Sequence, residues 1–286
     1  MNTRIAALAL ATLGGVAGLL ASGTSHAANV GYFGLCYPGT PADQITAAGQ
    51  TPVAIATANA ASLAGISILV AEPCGSLTDP GVAAAVSNGM ILIVHDHSYS
   101  NASFLPGSPN LSNASSSQNA VDFEPGTPFL TGPGGVLTNT SLDNGSSSTH
   151  GDVTRASLPA NSTVYATTGD TNKIIAFAYP YGAGRVYYST IPLQCYLGSQ
   201  CAGVSTAPAN KIYATNLIAW AAGYAAPTTT CASEGYAGTK LSWCKNICEM
   251  GYTGATLDMW IHRWINRYRD LPYCARGGNE EPPPID

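Results

Sequence analysis

Four side chains with the chemistry of metal ligands lie in two short segments of the chain. His95 and His97 close the apolar run that begins at Ile91, and His150 and Asp152 follow a long polar segment. Side chains two positions apart on a strand point to the same side, so His95 and His97 predict a chelating pair. His150 or Asp152 would complete a divalent metal site with an open position. Alternatively, these four residues are hydrogen-bonded polar side chains at a strand end. Apart from this metal, we expect no cofactor.

Candidate nucleophiles are present without the groups that would activate them. Ser98 follows the two histidines, but it does not lie on a Gly-x-Ser-x-Gly elbow and no residues fix an oxyanion hole. A reactive thiol at Cys36 requires a cationic or helix-terminal neighbour, and no base can be assigned to it. The sequence therefore predicts no catalytic residue.

A secretory leader is predicted at residues 1 to 27. It has one early cation, Arg4, then an apolar run from Ile5 to Leu20, and small residues before a cleavage site after Ala27. A membrane anchor is the alternative, but a run broken by three glycines falls short of the roughly 20 residues of a spanning helix. No later segment qualifies as transmembrane. We therefore expect an exported protein whose eight cysteines form four disulfides.

Charge divides the rest of the chain, in which charged residues are scarce. Residues 28 to 226 carry four basic against nine acidic side chains, and residues 231 to 276 carry six basic against four acidic. We predict an α/β domain at 28–226, a linker at 227–230, a small module at 231–276 and an acidic, proline-rich tail at 277–286. No concentrated basic face is present, which argues against nucleic-acid binding.

Apolar strands alternate with helices in the large domain, which predicts a parallel sheet covered on both faces. Residues 98 to 150 are rich in Ser, Asn, Gly and Pro and predict a surface excursion. The predicted strands are Val30–Gly34, Pro52–Ala56, Ile66–Glu72, Ile91–Val94 and a hairpin of Lys173–Tyr179 with Gly184–Thr190. The predicted helices are Pro41–Ala48, Thr57–Ala64, Asp79–Asn88 and Asn210–Tyr224.

A family resemblance covers roughly residues 29 to 225. It rests on the succession "SLAGISILVAEPCG", "VSNGMILIVHDHS", "GPGGVLTNTSLDNGSSSTHG", "YPYGAGRVYYSTIPL" and "YATNLIAWAAGY". This pattern resembles the class I glutamine amidotransferase-like superfamily, and more narrowly its secreted, non-amidotransferase relatives. The resemblance implies a flavodoxin-like, mostly parallel sheet of order 2-1-3-4-5. The family's Gly-x-Cys-x-Gly elbow is absent, and His95-Asp96-His97-Ser98 stands after the strand instead, so we do not expect glutamine hydrolysis.

The implied sheet order also predicts disulfides in the large domain. The first and third strands are neighbours in that order, and Cys36 and Cys74 lie just beyond their carboxyl ends. A Cys36–Cys74 bridge would cross the topological switch point, where open α/β sheets usually bind ligands. Cys195 and Cys201, six positions apart, are expected to pair locally.

The C-terminal module predicts a helical hairpin held by two further disulfides. Thr239 can cap a helix over 240–249, and Thr256 can cap a second helix over 257–269. Cys244 and Cys248 share one helix face with Cβ atoms about 5–6 Å apart, too far for a disulfide. Each is therefore expected to bond to Cys231 or Cys274, with the pairing left open. A zinc site on the four cysteines is less favoured because the chain is predicted to be exported and no zinc-knuckle spacing is present.

The second helix of the module has two contrasting faces. Its aromatic and aliphatic side chains recur at helical spacing, while Arg263, Arg267 and Arg269 lie opposite. The segment "EGYAGTKLSWCKNICEMGYTGATLDMWIHRWINRYRDLPYCA" resembles a C-terminal cassette of secreted bacterial and filamentous-phage-associated proteins, which implies a sorting, surface-attachment or recognition tag. The three arginines are its candidate binding residues. The alternative is a tryptophan core with a solvated cationic face, which the helical spacing of the aromatic residues favours.

The sequence taken together predicts a secreted or surface-displayed, non-catalytic binding protein. It would combine a degenerate amidotransferase-like domain with an attachment module whose partner is extracellular or part of the cell envelope. The alternative is a metal-assisted extracellular hydrolase that uses His95 and His97.

Overall fold

Short strands and helices alternate along most of the chain. The computed structural model describes residues 27–36, 39–96, 102–114, 117–145, 148–198, 206–224, 231, 234–248, 250, 252, 254–272 and 274. The strands are β1 (Asn29–Phe33), β2 (Thr51–Ala54), β3 (Ile68–Ala71), β4 (Ile91–His95), β5 (Asn113–Ala114), β6 (Asp122–Phe123), β7 (Thr131–Gly132), β8 (Gly135–Val136), β9 (Asp152–Thr154), β10 (Thr163–Thr167), β11 (Lys173–Tyr181) and β12 (Gly184–Ser189). The helices are α1 (Ala42–Ala47), α2 (Pro80–Ser87), α3 (Leu193–Leu197), α4 (Ala207–Ala222), α5 (Gly238–Cys248) and α6 (Gly254–Tyr268).

Ten of the strands form one mixed sheet. Its main path runs β2-β1-β3-β4-β12-β11-β10-β6, with β9 paired to β11 and β5 paired to β9. The pairs along β2-β1-β3-β4-β12 are parallel. The pairs from β12 outward are antiparallel. The α/β class is therefore as predicted, and the two halves of the sheet differ in strand direction.

The flavodoxin-like strand order, which was predicted for the whole sheet, is wrong. The first four places keep the order 2-1-3-4, and the sheet then continues through β12, β11, β10 and β6. The reason lies in the hairpin and in the segment before it. β11 and β12 pair antiparallel across a tight turn. The polar segment supplies the short strands β5 and β6, and β9 follows directly after it; all three extend the antiparallel half. The hairpin was predicted from the sequence, whereas β5, β6, β9 and β10 were not.

Two apolar layers cover the sheet. On one face, Ile45 of α1 and Tyr213 and Leu217 of α4 pack in a cluster with strand residues such as Ile93. On the other face, Val82 and Val86 of α2 belong to a second cluster, together with side chains of the loops at 58–66 and 102–111. Alternate side chains of β3, β4 and β12 enter the two clusters in turn, as the period of a strand requires.

The C-terminal helices form a third, separate cluster. Trp264 of α6 is fully buried, with Cys231, Cys244 and Ile247. Both helices begin earlier than predicted, at Gly238 and Gly254. The predicted threonine caps, Thr239 and Thr256, therefore lie inside the first turns and are wrong. Not every aliphatic side chain of α6 enters this cluster, since Ile265 is 42% exposed.

Several predicted segments fall outside the described residues. These are residues 1–26 of the leader, the linker at 227–230 and the tail at 277–286. Among the described residues, no helix combines the length and the apolar character that a membrane crossing requires.

Candidate functional site

Three polar side chains form a row at the carboxyl edge of the central strands. Ala71 of β3 pairs with Val94 of β4, so Glu72 comes next to His95 in the same register. Ser189 of β12 pairs directly with His95. Because side chains alternate along a strand, the three lie on the sheet face that α1 and α4 cover. Glu72 and His95 are each 1% exposed and Ser189 is 0% exposed.

His95 is a neutral, buried imidazole. Its Nδ1 atom lies 2.8 Å from the Ser189 hydroxyl oxygen. Its ring packs against the rings of Tyr213 and Tyr187, at centroid distances of 6.0 and 6.4 Å. Burial lowers the pKa of His95 to about 3. Among the described residues, the Nε2 atom has no hydrogen-bond partner.

Glu72 ties two loops together through its carboxylate. One oxygen accepts the backbone N–H of Cys36 at 3.3 Å, and the other accepts the backbone N–H of Gln194 at 3.3 Å. Burial raises the pKa of Glu72 to about 7, and repulsion from Asp96 adds to this while the two backbone N–H groups oppose it. The carboxyl group therefore links the loop after β1 to α3 and is poised to titrate near neutral pH.

Asp96 lies on the other face of the sheet. Its Oδ2 atom accepts the Tyr188 hydroxyl at 2.8 Å, and Asn113 donates to the same hydroxyl at 3.3 Å. The Asp96 backbone N–H continues the β4–β12 pairing by donating to the Ser189 carbonyl at 2.7 Å. Burial of the Tyr188 phenol, with the Asp96 carboxylate beside it, raises the tyrosine pKa well above its ordinary value.

The described members of the predicted metal site belong to different elements: His95 ends β4, His150 precedes β9 and Asp152 begins β9. The backbone N–H of His150 donates to the Thr190 carbonyl at 2.9 Å. Asp152 belongs to β9, which pairs with β11. Burial raises the Asp152 pKa, and its Oδ2 atom has no partner among the described residues. His97 lies outside the described residues, so a metal site that depends on it stays a prediction.

The predicted bond between Cys36 and Cys74 is confirmed. It joins residues 38 positions apart, with Cα atoms separated by 5.2 Å, and it spans the loops after β1 and β3. Cys195 is also disulfide-bonded, while its predicted partner Cys201 and the candidate nucleophile Ser98 lie outside the described residues. The Cys36 sulfur is therefore not available as a thiolate in this oxidised state.

A glycine allows the close approach of the loops under this bridge. Gly34 has a φ of +66°, and a Cβ atom there would lie 2.4 Å from the Glu72 carbonyl oxygen. A larger residue would have to displace backbone. The close contact between the loop after β1 and the loop after β3 thus depends on Gly34 as well as on the disulfide.

Two open cavities lie at the opposite edge of the sheet from the polar row. Their volumes are about 460 and 340 Å³, and they share Pro106, Gly107 and Tyr181 as lining residues. Tyr181 lies at the turn between β11 and β12, which is the amino end of β12. The cavities are therefore separate from the Glu72, His95 and Ser189 row.

The disulfides of the module resolve the pairing that the sequence left open. Cys231 bonds to Cys244 and Cys248 bonds to Cys274, with Cα distances of 5.7 and 5.6 Å. The sulfur atoms of Cys244 and Cys248 lie 3.9 Å apart without a bond between them. Ligand atoms of Cys231, Cys244 and Cys248 lie within 4.8 Å of one another, the only such metal-ligand group among the described residues. In this state all three are in disulfides and supply no thiolate ligand.

Two of the predicted binding arginines lie against aromatic rings. The guanidinium carbon of Arg263 is 4.9 Å from the Trp260 ring centroid, and that of Arg267 is 5.9 Å from the Trp243 ring centroid. Arg269 follows the end of α6 with a φ of +63°. The ion pairs within the described part of the chain are Arg155 with Glu124 and Lys240 with Asp270, and neither involves these arginines.

Glu72, Ser189 and Gln194 were not among the predicted site residues. Glu72 did give a signal, because it is the one charged residue that closes a continuous apolar run. Ser189 and Gln194 gave none, since their positions depend on the pairing of β12 with β4.

Comparisons with known proteins add no assignment to this geometry. No protein-family model matches the chain, and no curated protein matches it.

Proposed function

We propose that this chain is an exported, non-catalytic binding protein. A degenerate amidotransferase-like α/β domain, the resemblance drawn from the sequence, is joined to a C-terminal module that binds an extracellular or cell-envelope partner. One observation carries the proposal. At the carboxyl edge of the sheet, the side chains of potentially reactive types are bonded within the protein and hold the fold together.

Each group of chemical interest at that edge has a structural task. The Cys36 sulfur is in a disulfide, and the Glu72 carboxylate accepts two backbone N–H groups. The Ser189 hydroxyl is fully buried and lies beside the His95 imidazole. A general base or nucleophile has to come within hydrogen-bond reach of the reacting atom. These side chains therefore support a scaffold at the position where related folds place their chemistry.

The module carries the features of a recognition surface. Arg263 and Arg267 present guanidinium groups that aromatic rings support and that no carboxylate neutralises among the described residues. Arginine is the cation best suited to carboxylate and phosphate groups, because its planar donors bind them in pairs. These arginines favour an anionic partner.

Disulfide usage supports the proposed location. Cys36, Cys74, Cys231, Cys244, Cys248 and Cys274 form three bonds, and Cys195 is also bonded. Such bonds persist in oxidising compartments and are rare in the cytosol. The leader at residues 1–27 remains the predicted route of export.

A binding assay on washed cells of the producing organism tests the proposal. The oxidised protein of residues 28–286, without the predicted leader, should be retained on the cells at low salt and released at high salt, because exposed charge pairs are screened. The double variant Arg263→Ala/Arg267→Ala should be released at low salt. The matched control Arg155→Ala/Arg185→Ala removes the same charge from the large domain and should be retained. Equal retention of all three proteins would contradict the proposed role of the module.

A catalytic assay tests the other half of the proposal. The purified protein should release no ammonia from glutamine and should hydrolyse no ester or amide substrate. Turnover that Glu72→Gln or Ser189→Ala abolishes, with the fold intact, would refute a non-catalytic function.

One observation favours the alternative, a metal-assisted hydrolase that uses His95 and His97. The Nε2 atom of His95 is buried and has no partner among the described residues, which leaves one imidazole nitrogen available as a metal ligand. Purified protein should then hold about one equivalent of zinc, and His97→Ala should remove it. Protein without bound metal, whose thermal stability does not change when zinc is added, would exclude this alternative.

A further inference from the structure

An exposed strip runs along one side of α6. It consists of Met259, Arg263 and Arg267, which follow one another at intervals of four residues. Residues at this spacing are neighbours on the surface of a helix, so the strip extends over about 12 Å. All three side chains are exposed, and Met259 is 40% exposed.

The cations of this strip are held in place before any partner arrives. The Arg263 guanidinium stacks on Trp260 and that of Arg267 lies near Trp243, both of which are half-buried in the module core. A supported guanidinium loses less conformational freedom when it binds an anion. Among the described residues, neither ion pair involves the arginines of the strip. Asp270 pairs with Lys240, and Asp258 lies about 100° round the helix from Met259.

Exposed apolar side chains accumulate in the same module. Of seven exposed large hydrophobic residues in the described chain, five belong to it: Met250, Tyr252, Met259, Ile265 and Leu271. A protein partner is usually met by a contiguous patch with a packed centre. A lipid interface accepts apolar side chains that are scattered around a cationic helix, because its surface is fluid and has no fixed shape.

We infer that the strip of Met259, Arg263 and Arg267 docks this protein on an anionic phospholipid surface. The inference rests on the proposed function and names the partner of the module. Charge complementarity carries it: guanidinium groups that pair with no carboxylate among the described residues meet lipid phosphates, while Met259 inserts among the head groups. Each arginine close to an anionic membrane strengthens partitioning about fivefold.

Vesicle sedimentation tests the inference with the oxidised protein of residues 28–286, which lacks the predicted apolar leader. Vesicles of phosphatidylcholine with about one third phosphatidylglycerol should bind the protein, and vesicles of phosphatidylcholine alone should not. Arg263→Ala/Arg267→Ala should lower the partition coefficient about thirtyfold, from about fivefold for each arginine. The control Arg155→Ala/Arg185→Ala loses the same net charge and should bind like the wild type. This control is matched in kind, because Arg185 stacks on Tyr224 at 4.9 Å.

A charge-conserving variant separates lipid from protein as the partner. Arg263→Lys/Arg267→Lys should keep most of its binding, since a lipid surface responds mainly to charge. A protein or polymer that binds each guanidinium through paired hydrogen bonds would lose it. Binding to neutral vesicles, or equal binding of the alanine variant, overturns the inference.

The two proposals fail in different ways. If vesicles do not bind the protein but washed cells retain it through the arginines, the lipid inference is overturned and the attachment function stands. If neither vesicles nor cells retain the protein, both are overturned. Thermal unfolding by circular dichroism establishes that each variant has the wild-type fold before its binding is measured.

Discussion

Replacement of Glu72 by glutamine should remove a strong pH dependence from the stability of the α/β domain. Glu72 is almost completely buried and accepts two backbone N–H groups from separate loops. Its folded pKa is about 7, against an ordinary value of 4.5. Glutamine has the same shape and cannot ionise, so it isolates the effect of the charge.

The sign and size of the effect follow from proton linkage. Between pH 4.5 and about 7, the folded carboxyl holds a proton that the unfolded carboxyl has lost. The free energy of unfolding of the wild type therefore falls as the pH rises through this window. A tenfold difference in acid constant corresponds to about 1.4 kcal/mol, so the loss from this group amounts to about 3 kcal/mol. This loss of stability is complete above the pKa of the folded carboxyl and absent below the pKa of the unfolded carboxyl.

The glutamine variant should cross the wild type in stability. At low pH the variant should be less stable by about 1 kcal/mol, because one backbone N–H then faces an amide N–H. At a pH about one above the folded value, the variant should be more stable by about 2 kcal/mol, since only the wild type keeps a buried charge. Urea unfolding of the oxidised protein, followed by circular dichroism at both pH values, measures the difference.

A surface variant supplies the control for this experiment. Glu124→Gln makes the same chemical change at a position whose side chain is 33% exposed and pairs with Arg155. It should alter stability by less than about 1 kcal/mol, the typical worth of an exposed pair. If wild type and Glu72→Gln lose stability in parallel as the pH rises, the argument from burial is wrong.

Three further predictions concern the covalent and steric construction of the chain. Cys36→Ala/Cys74→Ala should reduce the free energy of unfolding by about 4 kcal/mol in urea titrations, from the entropy of a 38-residue loop, and a loss below about 1 kcal/mol would contradict this. Gly34→Ala should cost about 3 kcal/mol or more in the same assay, because both its φ and its distance to the Glu72 carbonyl are unsuited to a Cβ atom. A chain of residues 231–276 should show helical circular dichroism when oxidised and lose it on reduction, since so small a unit depends on its bridges, and helicity that survives reduction would disprove that dependence.

Local signals in the sequence predicted several elements well. Asp79 before Pro80 marks the start of α2, and its side chain accepts the Gly81 N–H at 2.7 Å. Asn88 and Gly89 mark the end of that helix, and Gly89 takes a positive φ of 113°. The apolar runs of β3 and β4 are the buried strands that their composition predicts.

One predicted helix failed because side chains compete with the backbone for its hydrogen bonds. The segment from Thr57 to Ala64 forms turns in the structure. Asn59 accepts the Ser62 N–H at 3.0 Å, and Ser62 accepts the Asn59 N–H at 3.1 Å. Serine and asparagine offer such local bonds and so favour turns over helix interiors.

The polar row could not be predicted from the same local signals. His95 was identified as a candidate, but its role as a neutral partner of Ser189 depends on the register of strands about 94 residues apart. The same holds for Glu72, whose two N–H donors come from residues 36 and 194. Sequence patterns indicate which residues are polar, while pairing between distant strands decides which of them meet.

The strand order has a consequence for how this chain matures. β1 to β4 can pair as soon as residues 29–95 are available, but β4 then presents an open edge until β12 arrives. An unpaired apolar edge is a template for association with other chains, and pairings of such long sequence separation form slowly. The interval between synthesis of the two strands is thus the period of greatest aggregation risk. Truncations that end between residues 96 and 183 should aggregate, whereas loss of the C-terminal module alone should not, because α4 then still covers its face of the sheet.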